Sequence, residues 1–271
     1  MGLGLCTLEA GGHVDRHVHA FEESFYVLEG MPTLMLDGRG YRLPPRSCGV
    51  VPVGTVHAWI EGAGEKARWI DMLAPQPRQE GIPEDTFFLD SALEHEEAEL
   101  DVRDPRSRHL FRFDEGDLVL DNLKIGAPAD APTVSASMST ALLAYSGIAV
   151  KVLVDQRLDA QLSTMLMVEY QPGGVAQPHD HPFEEAYYIL EGEVDAVAGD
   201  ARYVLKAGDL FWTGVGFIHA FRNTSDRTVR WLETQAPQPP ARHSYRFERD
   251  WGYLRERLLA ERRAQAAPTR P

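Results

Sequence analysis

The chain has little cysteine, a deficit of basic residues and no long apolar run. Only Cys6 and Cys48 occur among 271 residues, so we expect no disulfide framework and a reducing, cytoplasmic compartment. Lys and Arg total 27 against 41 Asp and Glu, giving a formal charge of −14. This acidity argues against nucleic acid and anionic membranes as partners, because both select basic surfaces. We also expect no membrane span and no signal peptide, since neither apolar pattern occurs.

What the chain does contain is an internal repeat. The stretch His179–Gly192 reads HDHPFEEAYYILEG, and a copy, HVHAFEESFYVLEG, lies 162 residues earlier at His17–Gly30. Another histidine follows forty residues after the first one in each copy, at His57 and at His219. A repeat in register predicts two similar domains, which also suits the length of the chain. Two blocks align at this offset without a gap: Gly11–Pro77 and Gly173–Pro239.

Short apolar segments separated by Gly, Pro and Asp predict an all-β fold of the sandwich or barrel type. Asp37-Gly38 between two such segments predicts a hairpin turn. Outside the repeats we expect a short acidic helix at Ser91–Leu100, a strand at Leu118–Ile125 and an amphipathic helix from Trp251 to about Arg263. The expected domains are an N-terminal barrel (1–78), a connecting segment (79–145), a C-terminal barrel (146–241) and a helix with a tail (242–271).

The two blocks differ at their beginnings. The second block has an additional apolar segment, Ile148–Val154, ahead of its first matched strand, and the first block has no counterpart. An unpaired sheet edge would then be exposed in the first barrel. We therefore expect that barrel to take a strand from Leu118–Ile125, from the C-terminal segment or from a partner subunit, unless the chain begins upstream of Met1.

The repeated histidines and glutamate suggest a metal site. Side chains two apart on a strand share a face, so His179 and His181 point the same way. After a turn, Glu185 on the next strand can approach them, and His219 arrives from a distant strand. Three imidazoles and one carboxylate suit a divalent first-row metal and leave positions open for substrate. Hydrogen-bonded core histidines are the alternative, and so is a site lost from one copy. The first copy offers the same set: His17, His19, Glu23 and His57.

These residues resemble the cupin superfamily, specifically a bicupin with two cupin barrels in tandem. The first cupin motif, G-x5-H-x-H-x3-E-x6-G, fits Gly173, His179, His181, Glu185 and Gly192, and likewise Gly11, His17, His19, Glu23 and Gly30. The second motif, G-x5-P-x-G-x2-H-x3-N, fits Gly208, Gly216, His219 and Asn223, with Gly214 at the proline position. In the N-terminal block Pro52, Gly54 and His57 match, but Arg46 and Glu61 replace the glycine and the asparagine. These departures concern turns, not ligands.

The resemblance implies two jelly-roll barrels and up to two divalent metals per chain, with Fe(II) favoured and Mn(II), Ni(II), Co(II) or Zn(II) as alternatives. It leaves the reaction open, since cupins carry out many reactions. One reading is an oxygen-dependent dioxygenase on a small aromatic or enolic substrate. Another is a non-oxidative isomerase, decarboxylase, hydrolase or lyase, and a third is a binding cupin without catalysis.

Of these, we favour a dioxygenase working at the C-terminal site, because that block keeps the complete first motif and the Gly, Gly, His and Asn of the second, and its barrel is complete in sequence. Glu185 is the expected catalytic residue, a metal ligand that can also take a substrate proton. Aromatic residues near the ligands are expected to be mostly barrel core: Phe25, Trp59, Trp69, Tyr187, Trp212, Phe221 and Trp231. The uncovered edge and the amphipathic helix also predict a homodimer or a larger homo-oligomer.

Overall fold

The computed structural model describes residues 1–62, 64–77, 85–101, 103–119, 146–238, 246–247, 256 and 259–264. Nearly all regular structure in these residues is β-strand. The first eight strands are β1 (Gly2–Leu8), β2 (His13–His19), β3 (Glu22–Glu29), β4 (Pro32–Leu36), β5 (Arg39–Arg42), β6 (Ser47–Val51), β7 (His57–Glu61) and β8 (Ala67–Ala74). Three short strands follow them: β9 (Thr86–Asp90), β10 (Glu96–Ala98) and β11 (Leu110–Arg112).

The second half repeats this order. Its strands are β12 (Ile148–Val154), β13 (Thr164–Tyr170), β14 (Val175–Asp180), β15 (Glu184–Glu191), β16 (Glu193–Ala198), β17 (Ala201–Lys206), β18 (Leu210–Thr213), β19 (His219–Arg222), β20 (Val229–Ala236) and β21 (Arg246–Phe247). At the offset of 162, β14 to β20 correspond to β2 to β8, and β13 corresponds to β1. The predicted duplication of an all-β unit is therefore confirmed.

Each half forms two sheets, as a jelly-roll barrel requires. In the first half their strand orders are β1-β8-β3-β6-β11 and β10-β5-β4-β7-β2-β9. In the second half they are β12-β13-β20-β15-β18 and β17-β16-β19-β14-β21. The strands that carry the repeated histidines pair with each other: β2 pairs antiparallel with β7, and β14 with β19.

Local sequence explains the turns and the alternation of buried and exposed side chains along the strands. Asp37 and Gly38 both have positive φ, 49° and 79°, and connect β4 to β5 as the predicted two-residue hairpin turn. Along β8, Trp69 points inward to the core while Arg68 stays partly exposed. One core cluster of the first barrel includes Phe25, Leu34, Tyr41, Trp59 and Trp69. Its aromatic side chains bury a large apolar area, which is the main stabilising contribution.

The two compact units are not contiguous in sequence. The first comprises Met1–Asp114, Val152–Met165 and Thr234–Pro239, and the second comprises the remaining segments. Within the first unit, the buried carboxylate of Glu22 accepts hydrogen bonds from the backbone N–H groups of Gln161, Leu162 and Ser163, at 2.6, 3.1 and 3.0 Å. The Ser163 hydroxyl donates to the same carboxylate at 2.7 Å. One glutamate therefore fixes a segment about 140 positions away in the sequence.

One expectation outside the repeats is wrong. Ser91–Leu100 contains no helix, because Glu96–Ala98 forms β10 and pairs parallel with β5, where Arg39 and Glu96 form an ion pair. Pairing with an existing sheet edge outweighs the helical preference of the local sequence. The expectation that the first barrel takes a strand from Leu118–Ile125, from the C-terminal segment or from a partner subunit stays a prediction, because residues 120–125 and most of the C-terminal segment lie outside the described residues. Among the described residues, β11 adds antiparallel to β6 at the edge of the sheet opposite β1.

Two further predictions are tested only in part. Leu118 ends a 3-10 helix, Glu115–Leu118, rather than beginning a strand, and residues 120–125 lie outside the described part of the chain. Residues 256 and 259–264 are helical, in line with the predicted C-terminal helix, whereas its apolar face lies outside the described residues. No helix among the described residues is long and apolar enough to cross a membrane.

Candidate metal centres

The C-terminal barrel brings three histidines together. Two of them lie on paired strands, and the third directly follows one of these strands. Ring nitrogens of His179, His181 and His219 lie within 4.8 Å of one another, and all three side chains are buried. His179 and His219 are direct partners in the register of β14 and β19. Three converging imidazoles are a ligand set for a transition metal. The fold thus places His219 beside the His-x-His pair, where the sequence analysis expected it.

Backbone carbonyls orient all three rings in the same way. Nδ1 of each histidine donates to a carbonyl oxygen two residues away: Gln177 for His179 at 2.7 Å, Phe183 for His181 at 2.7 Å and Phe217 for His219 at 2.9 Å. A neutral imidazole that donates through Nδ1 presents the lone pair of Nε2. Such outer hydrogen bonds fix the tautomer that a metal ligand needs.

The Glu185 carboxylate reaches the same centre. Its Oε2 lies 2.7 Å from Nε2 of His181 and 3.4 Å from Nε2 of His219, and the side chain is almost fully buried. Burial alone would raise the pKa of Glu185, but hydrogen bonds and charge from His181 and His219 outweigh it and hold this pKa below its ordinary value. An ionised carboxylate beside three imidazoles lowers the free-energy cost of placing a divalent cation in this buried cluster.

His179 contributes a neutral ring. Burial, followed by repulsion from His219, lowers the pKa of His179 from 6.5 to about 4, against the raising effect of its bond to Gln177. At neutral pH the ring is deprotonated, as metal coordination requires.

The N-terminal barrel repeats the cluster. Ring nitrogens of His17, His19 and His57 lie within 4.8 Å of one another. Their Nδ1 atoms donate to backbone carbonyls two residues away, at 2.7, 2.6 and 2.9 Å. Glu23 Oε2 lies 3.1 Å from Nε2 of His19 and 3.5 Å from Nε2 of His57. All eight residues singled out by the sequence therefore lie in two four-residue clusters, one in each barrel.

The two clusters differ in what supports the glutamate. In the C-terminal barrel the Tyr187 hydroxyl donates to Glu185 and lies 3.2 Å from Nε2 of His219. Burial, followed by the charge of Glu185, raises the pKa of Tyr187 well above its ordinary value, so Tyr187 remains a donor. Phe25 occupies the equivalent position in the N-terminal barrel and packs edge-on against Trp59. Phe25 therefore offers no hydroxyl that could donate to Glu23.

A second acid accompanies Glu23 instead. Asp71 accepts a hydrogen bond from the Cys6 thiol at 2.6 Å and interacts with Glu23. Burial, followed by the charge of Glu23, raises the pKa of Asp71 well above its ordinary value. The corresponding residue in the other barrel is Glu233, which accepts a hydrogen bond from Nε1 of Trp231 at 3.3 Å. The sequence analysis missed Asp71 and the role of Tyr187, although a comparison of Tyr187 with Phe25 at the common offset would have revealed the latter.

The departures from the second cupin motif leave the N-terminal cluster in place. Arg46 has φ 74°, the left-handed conformation that Gly208 also adopts in the other barrel, at φ 94°. Glu61 accepts from the backbone N–H of Gly11 at 3.0 Å, whereas Asn223 donates to the carbonyls of its own turn. The turns are therefore made with different hydrogen bonds, and His57 keeps its position.

Most of the aromatic residues near the ligands are core, as expected. Phe25, Trp59, Trp69, Tyr187, Phe221 and Trp231 are buried, whereas Trp212 is exposed. Phe88, which the sequence analysis did not consider, packs on His17 with ring centroids 5.4 Å apart and is itself largely exposed.

The family model of the cupin domain matches residues 4–73 and 166–234, which together exceed half of the chain. The chain belongs to the cupin family. It contains two cupin domains, each with one of the histidine clusters. Among curated proteins, no relative matches it.

Solved structures share the fold of this cupin protein at low sequence identity. Salicylate 1,2-dioxygenase from Pseudaminobacter salicylatoxidans superposes with a TM-score of 0.65 at 15% identity, covering 86% of this chain and 70% of that one. A structure of the same enzyme as adducts with gentisate gives 0.65 at 14%, covering 86% and 67%. AerE from Microcystis aeruginosa gives 0.55 at 12% identity and covers 86% of both chains. At these identities the similarity concerns the fold alone.

Proposed function

We propose that this bicupin is a metal-dependent dioxygenase acting on a small aromatic or enolic substrate at its C-terminal site. The observation that carries the proposal is the convergence of His179, His181, His219 and Glu185 in one buried cluster. In this proposal the three histidines and Glu185 are the ligands of an Fe(II) ion. Bound there, iron would supply the redox chemistry that dioxygen requires and hold a chelating substrate beside it. His17, His19, Glu23 and His57 would hold a second metal.

Each residue of the C-terminal cluster has a defined task in this proposal. The carbonyl-bonded histidines keep their Nε2 lone pairs directed at the metal, so binding requires little reorganisation. Glu185 accepts the proton of a substrate hydroxyl at Oε2, because its carboxylate is ionised and lies inside the cluster. Tyr187 donates to Glu185 and holds it in place. Phe221 and Phe211, which pack around Tyr187, exclude water from this end of the barrel.

The structural comparisons support the reaction class without defining the substrate. Two of the superposed structures are of a salicylate 1,2-dioxygenase, and one of these has gentisate adducts. Hydroxylated aromatic acids are accordingly the first substrate class to examine. The preference for the C-terminal site rests on the Gly, Gly, His and Asn that it keeps from the second motif, and on the Tyr187–Glu185 contact.

The test is an oxygen-uptake screen with protein loaded with Fe(II) in the absence of air. Candidate substrates are salicylate, gentisate, catechols, flavonols and β-diketones, and incorporation of labelled dioxygen into product is measured by mass spectrometry. We expect uptake that His219→Ala abolishes and that His57→Ala, the matched change in the other barrel, leaves largely intact. Turnover of a substrate in rigorously oxygen-free buffer would instead establish a non-oxidative isomerase, decarboxylase, hydrolase or lyase.

A further inference from the structure

A buried hydroxyl lies beside the C-terminal cluster without belonging to its ligand set. Thr213, on β18, is the direct register partner of Glu185 on β15. Direct partners in an antiparallel pair point to the same face of the sheet, so both side chains face the interior of the barrel. Thr213 is 1% exposed, and its Oγ1 is paired with no group among the described residues. The group that it faces is the hydroxyl of Tyr187.

Shape alone does not account for a threonine at this position. The residue 162 positions earlier is Val51, which is fully buried and is the direct partner of Glu23. Valine and threonine have nearly the same shape, so the N-terminal barrel shows that an apolar side chain packs well here. Burying a hydroxyl in its place costs free energy unless the hydroxyl has a hydrogen-bond partner. The hydroxyl of Thr213 therefore indicates an interaction that Val51 does not make.

Two hydroxyls distinguish this part of the C-terminal barrel from its copy. Tyr187 and Thr213 carry them, and the equivalent residues, Phe25 and Val51, are both buried and both apolar. Phe25 cannot accept a hydrogen bond from a threonine hydroxyl, and Val51 cannot donate one to a tyrosine. The two hydroxyls are thus present together in one barrel and absent together at the same positions of the other, as expected for groups that act as a pair.

The Tyr187 hydroxyl has one hydrogen and two acceptors within reach. Its oxygen contacts the Glu185 carboxylate and lies 3.2 Å from Nε2 of His219. A hydrogen directed at Nε2 would occupy the lone pair that His219 must offer to a metal, whereas a hydrogen directed at Glu185 leaves that lone pair available. The ionised carboxylate is the stronger acceptor. A second donor to the tyrosine oxygen polarises its O–H bond and strengthens the bond to Glu185, because hydrogen bonds in a chain reinforce one another.

We propose that Thr213 is a positioning residue of the C-terminal metal site, where it donates to the Tyr187 oxygen and Tyr187 in turn donates to Glu185. The chain of hydroxyls runs from β18 to β15 and ends on the carboxylate of the cluster. It orients Glu185 and keeps the Tyr187 hydrogen away from Nε2 of His219. The proposal rests on the metal site of the proposed function and not on the reaction carried out there.

The experiment measures Co(II) affinity by chelator competition in a His57→Ala background, which confines binding to the C-terminal site. Thr213→Val removes the hydroxyl and keeps the shape of the side chain. We expect it to weaken Co(II) binding by about 3-fold to 5-fold, less than Tyr187→Phe, because Thr213 acts through Tyr187. Thr213→Ser keeps the hydroxyl and should bind Co(II) as tightly as the His57→Ala parent.

A double-mutant cycle separates the hydrogen-bond chain from a general effect on packing. In a Tyr187→Phe background the Thr213 hydroxyl has no acceptor, so Thr213→Val should cause no further loss of Co(II) affinity. Val51→Thr in a His219→Ala background is the matched control in the other barrel. It adds a hydroxyl that Phe25 cannot accept, so Co(II) affinity there should not rise. Circular dichroism of each variant checks that the barrels remain folded.

Equal Co(II) affinity in Thr213→Val and its parent would overturn the proposal. A loss in Thr213→Ser as large as that in Thr213→Val would also overturn it, and so would a loss from Thr213→Val that persists in full in the Tyr187→Phe background. None of these readouts requires turnover. A protein that shows the expected Co(II) affinities but consumes no oxygen would contradict the proposed dioxygenase and support the positioning role of Thr213.

Discussion

The Tyr187 hydroxyl donates a hydrogen bond to the Glu185 carboxylate, and at the equivalent position of the N-terminal barrel Phe25 cannot do the same for Glu23. Both tyrosine and phenylalanine are buried at this register, so shape is conserved between the copies while the donor is not. The two metal clusters are therefore chemically distinct even though their ligand types are the same.

We expect Tyr187→Phe to weaken metal binding at the C-terminal site by about 10-fold, because it removes the donor that positions Glu185. Chelator competition with Co(II), in a His57→Ala background, isolates that site. Phe25→Tyr in a His219→Ala background is the reciprocal change. An affinity for Co(II) that Tyr187→Phe leaves unchanged would contradict a positioning role.

Two clusters of the same ligand types predict close to two divalent metals per chain after loading. Elemental analysis of wild type, His57→Ala and His219→Ala should give about two, one and one metal ions. Each variant removes one of three converging imidazoles, and the two remaining ones bind too weakly to retain metal during desalting. A wild type with one metal, lost in His219→Ala and kept in His57→Ala, would identify the N-terminal cluster as vestigial.

Glu185→Gln keeps the shape of the side chain and removes its charge. We expect a 10-fold to 100-fold loss of metal affinity at the C-terminal site, in the range observed for perturbed metal shells. Chelator competition measures it, with circular dichroism as a check on folding. Glu184→Gln is the neighbouring control, because Glu184 accepts from Trp212 Nε1 and does not enter the cluster. Equal metal affinity in Glu185→Gln and wild type would exclude Glu185 as a ligand.

Lowering the pH should destabilise the metal-free protein at pH values where most carboxylates are still ionised. His179 has a pKa of about 4 when folded against 6.5 in an unfolded chain, so below pH 6.5 the unfolded chain takes up a proton that the folded chain does not. The free energy of unfolding should therefore fall between pH 6.5 and pH 4, by roughly 3 kcal/mol from this group. The lowered pKa of Glu185 acts in the same direction at lower pH.

Urea titrations of the metal-free protein at pH 7, 5.5 and 4.5 measure this slope. His179→Gln should flatten it over this interval. An identical slope in the variant would show that His179 is not the source of the acid sensitivity.

Glu22→Gln should destabilise the first compact unit by about 2–4 kcal/mol. The substitution replaces a buried carboxylate oxygen with an amide that opposes the N–H groups of Gln161, Leu162 and Ser163. The midpoint of thermal unfolding provides the measurement. Glu184→Gln is again the control, because it is the same position in the other barrel. A midpoint equal to that of wild type would show that these hydrogen bonds contribute little.

The repeat was sufficient to predict the architecture and the eight cluster residues. The spacing of two between His179, on β14, and His181, directly after it, predicts that they share a face. The common offset of 162 identifies His57 with His219. The sequence failed where a distant segment decides the outcome. Ser91–Leu100 has helical composition, yet β10 forms because the edge of β5 is available to it. The helical preference of a short segment is easily overridden when the edge of a sheet is available for pairing.

Other features left no sequence signal at all. Glu22 binds backbone N–H groups, which every residue possesses, so its partners could not be inferred from residue types. The sequence did not identify Trp212 as the exposed member of the aromatic set, because its exposure depends on whether another segment covers β18. In the N-terminal barrel residues 106–111 cover the equivalent strand, and no residue near Trp212 in the sequence indicates whether a segment covers β18.

The hydrogen bonds of Glu22 also constrain the order in which the chain can fold during synthesis. Its partners are residues 161–163, so the first compact unit cannot finish until the ribosome has released the beginning of the second repeat. The N-terminal strands can pair as soon as they leave the exit tunnel. The Glu22 carboxylate, however, lacks its hydrogen-bond donors until roughly 140 further residues have been synthesised. Translation speed through residues 23–163 thus determines how long the Glu22 carboxylate of the nascent first unit remains without these donors.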